Sequence, residues 1–371
     1  MTARPPAHQT SAAAAPHTAA QQSTAPIASA QRRHRADVDV LRLLACITVM
    51  LGHSGGTLIQ RTRDDAPDSA ALTIGHLAEA VNPWAVPMFF AIAGWAVLAG
   101  APPRDQQSMV RRITRHLVPL LVWSVVFLVV YKLVAWDDTD FRGILATIPF
   151  ESQRPSYHLW YLYVYIPLIT VFGALMLFLR GQRPWFLMAL ALVFSGGGVV
   201  LTLVQDQLGV EFASWAWGVG TYSVAYFVAG GILIHLAPSF RLTGWMRAGL
   251  TAVFLAAAVG VHLWETRVHY PIENANPLTP LLGGALIVLV CSFRVSDRVA
   301  QILKRIAAAS FGAFLVHIMF VDLVFGRLFP LDIGLAAGIP LFVLGWVVCI
   351  AVSFALSLAW GRIPGARRLL G

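Results

Sequence analysis

RLLACITVMLGH, residues 42–53, is almost wholly apolar, yet it begins on Arg42 and ends on His53. The surrounding run, 38–59, is long enough to cross a bilayer, which takes roughly 20 apolar residues. At about 100° per residue, the eleven steps from Arg42 to His53 overshoot three full turns by only about 20°. Both side chains therefore share one helix face, about 16 Å apart along the axis. An ionisable residue inside a span is a functional candidate by default. Two on one stripe suggest a polar path running in from one side of the membrane. The structural alternatives are ordinary ones. Arg42 can snorkel, paired with Asp39 three residues earlier, and His53 can bond a helix-end carbonyl.

The rest of the chain reads in the same way. It has 371 residues, 57% hydrophobic and 12% charged, with a mean hydropathy of +0.69. Soluble domains carry about a quarter charged residues. Apolar runs at 38–59, 77–99, 117–135, 158–179, 184–204, 215–236, 244–264, 277–293, 306–326 and 336–360 predict an all-α polytopic membrane protein. The expected architecture is a bundle of about ten transmembrane helices. Residues 1–36, rich in Ala, Pro, Thr and Gln, read as a disordered cytosolic tail. Residues 37–362 read as the transmembrane domain, and 363–371 as a basic cytosolic tail.

Basic residues gather in alternate loops. Arg104, Arg111, Arg112 and Arg115 form one group, and Arg294, Arg298, Lys304 and Arg305 another, against scattered Arg154, Arg267 and Arg327 in the opposite loops. That bias puts both termini in the cytosol. It also accounts for the net charge of +9 without nucleic acid. Cys46, Cys291 and Cys349 have no CxxC or Cys/His spacing, so no metal site is expected.

Four further stretches carry candidate chemistry. RRITRH, 111–116, sets Arg112 and Arg115 on one helix face. It reads either as topology-fixing charge or as an anion site, since guanidinium forks match phosphate. VPMFFAIAGW, 86–95, reads as packing, with Gly94 permitting close helix approach. YHLWYLYVYIP, 157–167, reads as an interfacial aromatic belt containing His158 and Trp160. SFGAFLVH, 310–317, brings His317 to a depth similar to that of His53. Histidine suits acid–base work near neutral pH.

In order and spacing these motifs resemble the membrane-integral acyltransferase 3 family. They are D-x-x-R-x10-H (Asp39, Arg42, His53), P-hydrophobic-FF ending on Gly94, R-x-x-R (Arg112, Arg115), HLWYL (158–162) and the late S-F-G-x-F-L-x-H (310–317). The chain is similar to stand-alone members that O-acetylate enterobacterial common antigen and xanthan-type exopolysaccharide. Two departures are visible: Ala93 stands where the family has Ser, and Phe314 where Tyr is common. The resemblance implies transfer of an acyl group, commonly acetyl from cytosolic acetyl-CoA, to a hydroxyl of a surface or lipid-linked glycan at the bacterial inner membrane.

The same resemblance implies the roles of single residues. Arg111, Arg112 and Arg115 would hold CoA phosphates with help from Arg42, and His53 would be the general base. His317 would orient the acceptor or donate to the oxyanion. Glu151, His158, Trp160 and Asp322 would contact the sugar, with no metal. A transporter or lipid-linked glycan flippase is the alternative. It predicts internal repeats, which the sequence does not display.

Overall fold

A computed structural model describes residues 1–2, 34–135, 140–209 and 215–371. The tail expected over 1–36 lies largely outside the described residues. Residues 36–371 form one unit.

Its helices, in chain order, are α1 (Ala36–Thr62), α2 (Ala70–Glu79), α3 (Ala85–Trp95), α4 (Gln106–Ala135), α5 (Phe141–Thr147), α6 (Trp160–Leu179), α7 (Trp185–Leu208) and α8 (Thr221–Ala225). There follow α9 (Gly231–Leu236), α10 (Gly244–Arg267), α11 (Leu278–Cys291), α12 (Asp297–Ala307), α13 (Ser310–Leu323), α14 (Leu335–Trp360) and α15 (Ala366–Leu370). Among the described residues there is no strand. Eight helices are long and apolar enough to cross a membrane, and Ala85–Gly100 and Leu278–Cys291 are shorter apolar helices. The protein is an all-α polytopic membrane protein.

The expected single span 77–99 is instead two helices. The break falls at Asn82–Pro83, between the end of α2 and the start of α3. Proline disfavours helical backbone at the residue before it, so α2 cannot run on through Asn82. Pro87 is tolerated because it lies in the first turn of α3, where an N–H would have no intrahelical partner. The α2 start is capped by Ser69, whose hydroxyl accepts from the Leu72 amide.

Wide π-helical turns follow α3 (Ala96–Gly100), α8 (Tyr226–Gly230) and α13 (Val324–Leu328). The last of these loosens carbonyls near the end of α13, and Arg61 from α1 donates to two of them, those of Phe325 and Phe329. Gly94 shows why α3 needs a glycine: a Cβ there would lie 1.7 Å from the Phe227 carbonyl oxygen. The close helix approach expected of Gly94 is thus made against the Tyr226–Gly230 turn.

Helix α1 lies at the centre, packed against α2, α3, α11, α12, α13 and α14. Cys46 is a small buried filler there, its thiol donating to the Ser310 carbonyl at 3.4 Å. Residues 363–371, expected as a tail, include the short helix α15, which packs on α4. The Leu370 carbonyl accepts from the Trp123 indole. Outer faces of α7 and α14 carry exposed Leu, Val and Trp side chains, as a lipid-facing surface requires.

Candidate active site

Because α1 is continuous, Arg42 and His53 stay in register on one face. What that face meets is a ladder of three tyrosines. Tyr157, Tyr161 and Tyr165 fall at i, i+4 and i+8 where the chain enters and follows α6, so they share one side of it. The Tyr157 hydroxyl lies 3.2 Å from Nδ1 of His53. Tyr161 and Tyr165 pack ring to ring at 5.3 Å. Both lie within electrostatic reach of Arg42. The spacing is present within YHLWYLYVY, where hydropathy alone fits an interfacial aromatic belt equally well.

At the His53 end, three histidines converge from three elements. The His53 ring stands 5.2 Å from that of His317 on α13. His317 stands 5.4 Å from His158, which lies just before α6. Hydrogen-bond partners assign their protons. Nδ1 of His317 faces the Phe314 carbonyl, which can only accept, so Nδ1 carries the proton. Neutral His317 therefore presents a bare Nε2, which is buried and has no partner. His158 is engaged on both sides. Its Nε2 faces the Leu315 carbonyl at 3.3 Å, and its Nδ1 accepts from the Ser156 hydroxyl at 2.9 Å. With both nitrogens occupied, His158 holds the loop before α6 onto α13. Phe314, in the place of a tyrosine, contributes its carbonyl to His317 and its ring to both histidines.

Four expected sugar contacts part company here. Asp322 lies at the margin of the cluster, accepting from the Tyr131 hydroxyl at 3.2 Å and acting electrostatically on Tyr157. His158 is in the cluster itself. Glu151 instead pairs with Arg154 at 3.8 Å and lies within electrostatic reach of Tyr163, which is not on the ladder face. Trp160 packs against the core and makes no hydrogen bond or ring contact with the three histidines.

At the opposite end, Arg42 bonds Asp39 at 3.2 Å and is still partly exposed. The charges of Arg42, Arg112 and Arg115 all act on His116. They act on Tyr165 as well. His116 packs against Tyr165 at 4.7 Å and Phe311 at 5.1 Å. Arg112 is half-buried and donates to the Ala101 carbonyl at 2.7 Å, while Arg111 and Arg115 are exposed. Three guanidinium groups from two helices thus surround the foot of the tyrosine ladder, and three imidazoles surround its head. Among the described residues, no group of three His, Cys, Asp or Glu side chains could hold a metal ion.

That arrangement, a cationic mouth joined to a buried imidazole cluster, is the frame in which the comparison with known families falls. Residues 35–358 match the acyltransferase domain of the acyltransferase 3 type. The chain belongs to the acyltransferase 3 family. No curated protein and no solved structure matches it. This acyltransferase is a multi-pass membrane enzyme whose family region covers α1 and nearly all of α14, and so takes in both ends of the tyrosine ladder.

Proposed function

We propose that this acyltransferase moves an acetyl group from cytosolic acetyl-CoA to a hydroxyl of a surface or lipid-linked glycan. The termini then lie in the cytosol of a bacterial inner membrane, as the loop charges favour. The observation that carries the reading is the alignment of cationic mouth, tyrosine ladder and imidazole cluster along one face of α1. CoA phosphates are highly charged and stay where Arg42, Arg111, Arg112 and Arg115 can meet them. The pantetheine arm spans the about 16 Å to His53 along the ladder.

His53 is the base. With its Nδ1–H donated to the Tyr157 oxygen, Nε2 is free to take the proton of the acceptor hydroxyl. The hydroxyl oxygen attacks the thioester carbonyl, and the C–S bond breaks as the C–O bond forms. The proton passes from His53 to the departing CoA thiolate. His317, with its bare Nε2, accepts a hydrogen bond from the acceptor and so orients it. In that tautomer it cannot donate to an oxyanion.

The test supplies labelled acetyl-CoA to membranes holding wild type or His53→Ala at matched expression. Wild type alone transfers label to glycan. Full transfer by a folded His53→Ala protein overturns the base assignment.

A further inference from the structure

A second polar cluster lies beyond His53 on α1. Gly52 and Gly56 bracket the histidine, and both are glycines because polar side chains press on them. A Cβ at Gly52 would meet the Asn82 amide at 2.2 Å, and one at Gly56 would meet Glu79 Oε1 at 2.9 Å and the Tyr270 hydroxyl at 3.5 Å. Asn82 donates to the other Glu79 oxygen at 3.1 Å. Glu265, at the end of α10, is within electrostatic reach of both Glu79 and Tyr270. It is 5% exposed. One of its oxygens accepts from the Ile272 amide, and the other, Oε2, is buried without a partner.

Glu79 thus lies against Gly56, within one turn of His53, and Glu265 lies within its electrostatic reach; among the described residues neither carboxyl has an ion-pair partner. Arg63 acts electrostatically on Tyr270 and is paired with Asp64 at 3.5 Å. His76 stands edge-on to Tyr270 at 5.4 Å, not against a carboxyl. Buried charge is costly unless it is paired. Burial and the Glu265 charge push Glu79 up to about 8, so Glu79 retains a proton at neutral pH. A positive charge beside the two carboxyls offsets that cost. Among the described residues no group of three His, Cys, Asp or Glu side chains could hold a metal ion, so an organic cation is the better fit.

We propose that the acyl acceptor carries a positively charged amine and that Glu79 and Glu265 receive it beside His53. This rests on the acceptor reading above and narrows it to amine-bearing hydroxyl compounds such as amino sugars. Asn82 and Tyr270 orient the hydroxyls, and the carboxyl pair selects the charge.

The test is binding by purified protein without an acyl donor. The probes are methyl glucosaminide, with a free amine, and neutral methyl glucoside, followed by titration calorimetry. Acetyl-CoA binding is measured separately. The amine probe binds at least tenfold more tightly than the neutral one and releases a proton at pH 7. Glu79→Gln and Glu265→Gln each abolish that preference, with melting temperatures that show an intact fold. Equal affinities, a preference that survives both substitutions, or no amine binding by protein that binds acetyl-CoA each overturn the proposal. Failure of acetyl-CoA itself to bind overturns the acyl-CoA reading instead.

Discussion

The Tyr157 hydroxyl stands 3.2 Å from Nδ1 of His53, joining the first residue of the tyrosine ladder to the proposed base. A base nitrogen works best when the other ring nitrogen is held by a fixed partner. Tyr157 has that place, although it lies 104 residues away in sequence. Tyr157→Phe removes one hydrogen bond and leaves the ring contact. We expect kcat to fall about tenfold, the scale of one such bond, with KM for acetyl-CoA unchanged. The pH–rate profile should shift with it. Steady-state kinetics across pH checks this, and an unmoved profile would assign Tyr157 a packing role only.

His158 should behave differently from His53. Both of its nitrogens bind the fold, to Ser156 and to the Leu315 carbonyl. His158→Ala leaves buried groups unpaired, at a cost of about 1–3 kcal/mol each. The expected result is a lower melting temperature. In the protein that remains folded, the residual kcat should exceed that of His53→Ala.

At the mouth, Arg115→Ala removes a guanidinium that acts on Tyr165 and His116 but is itself exposed. KM for acetyl-CoA should rise about tenfold, kcat should change little, and the dependence of KM on salt should weaken. Dephospho-CoA thioesters should lose less on this substitution than acetyl-CoA does. Arg111→Ala should have a smaller effect, since its charge is not among those acting on Tyr165 or His116.

Gly94→Ala should damage the fold. Its Cβ would stand 1.7 Å from backbone oxygen of Phe227, which cannot swing aside as a side chain could. Overpacking costs about 1–3 kcal/mol or more. Thermal unfolding in detergent should show the loss. Ala93→Ser, one residue earlier, restores the family's hydroxyl and tests whether that group affects rate.

Stability should depend on pH through Glu79. Its folded value is raised to about 8 from an ordinary value of 4.5, so between those limits the native protein keeps a proton that the unfolded chain has released. Stability from this group is therefore lost as pH rises through that window. His76, held below its usual value by burial, acts in the opposite sense at lower pH. Melting curves from pH 5 to 9 should fall less steeply for Glu79→Gln than for wild type. Identical slopes would remove Glu79 from the account.

Much of this protein was legible in its sequence because a membrane reduces the choices. With no water to satisfy backbone groups, apolar runs of span length become helices, and α1 duly runs unbroken through Arg42 and His53. Helical periodicity then placed both on one face before any fold was known. The family motifs pointed to the same two residues and to His317. Local chemistry misleads where it is itself mixed. The run 77–99 looks continuous by hydropathy, yet Pro83 divides it, and that break delivers Glu79 and Asn82 to Gly56 and Gly52.

Which side chains meet across helices was decided by the tertiary structure alone. Hydropathy is blind to it, because a tyrosine at an interface and a tyrosine in a buried ladder read alike. The Tyr157–Tyr161–Tyr165 stripe, the proton on His317 Nδ1 and the double engagement of His158 all depend on partners from other helices. So does the separation of Asp322, which reaches the cluster, from Glu151, which does not. Sequence determines the period and polarity of each helix; rotation of one helix against the next is set by packing contacts such as Gly94 on Phe227, and those rotations decide which residues form the site.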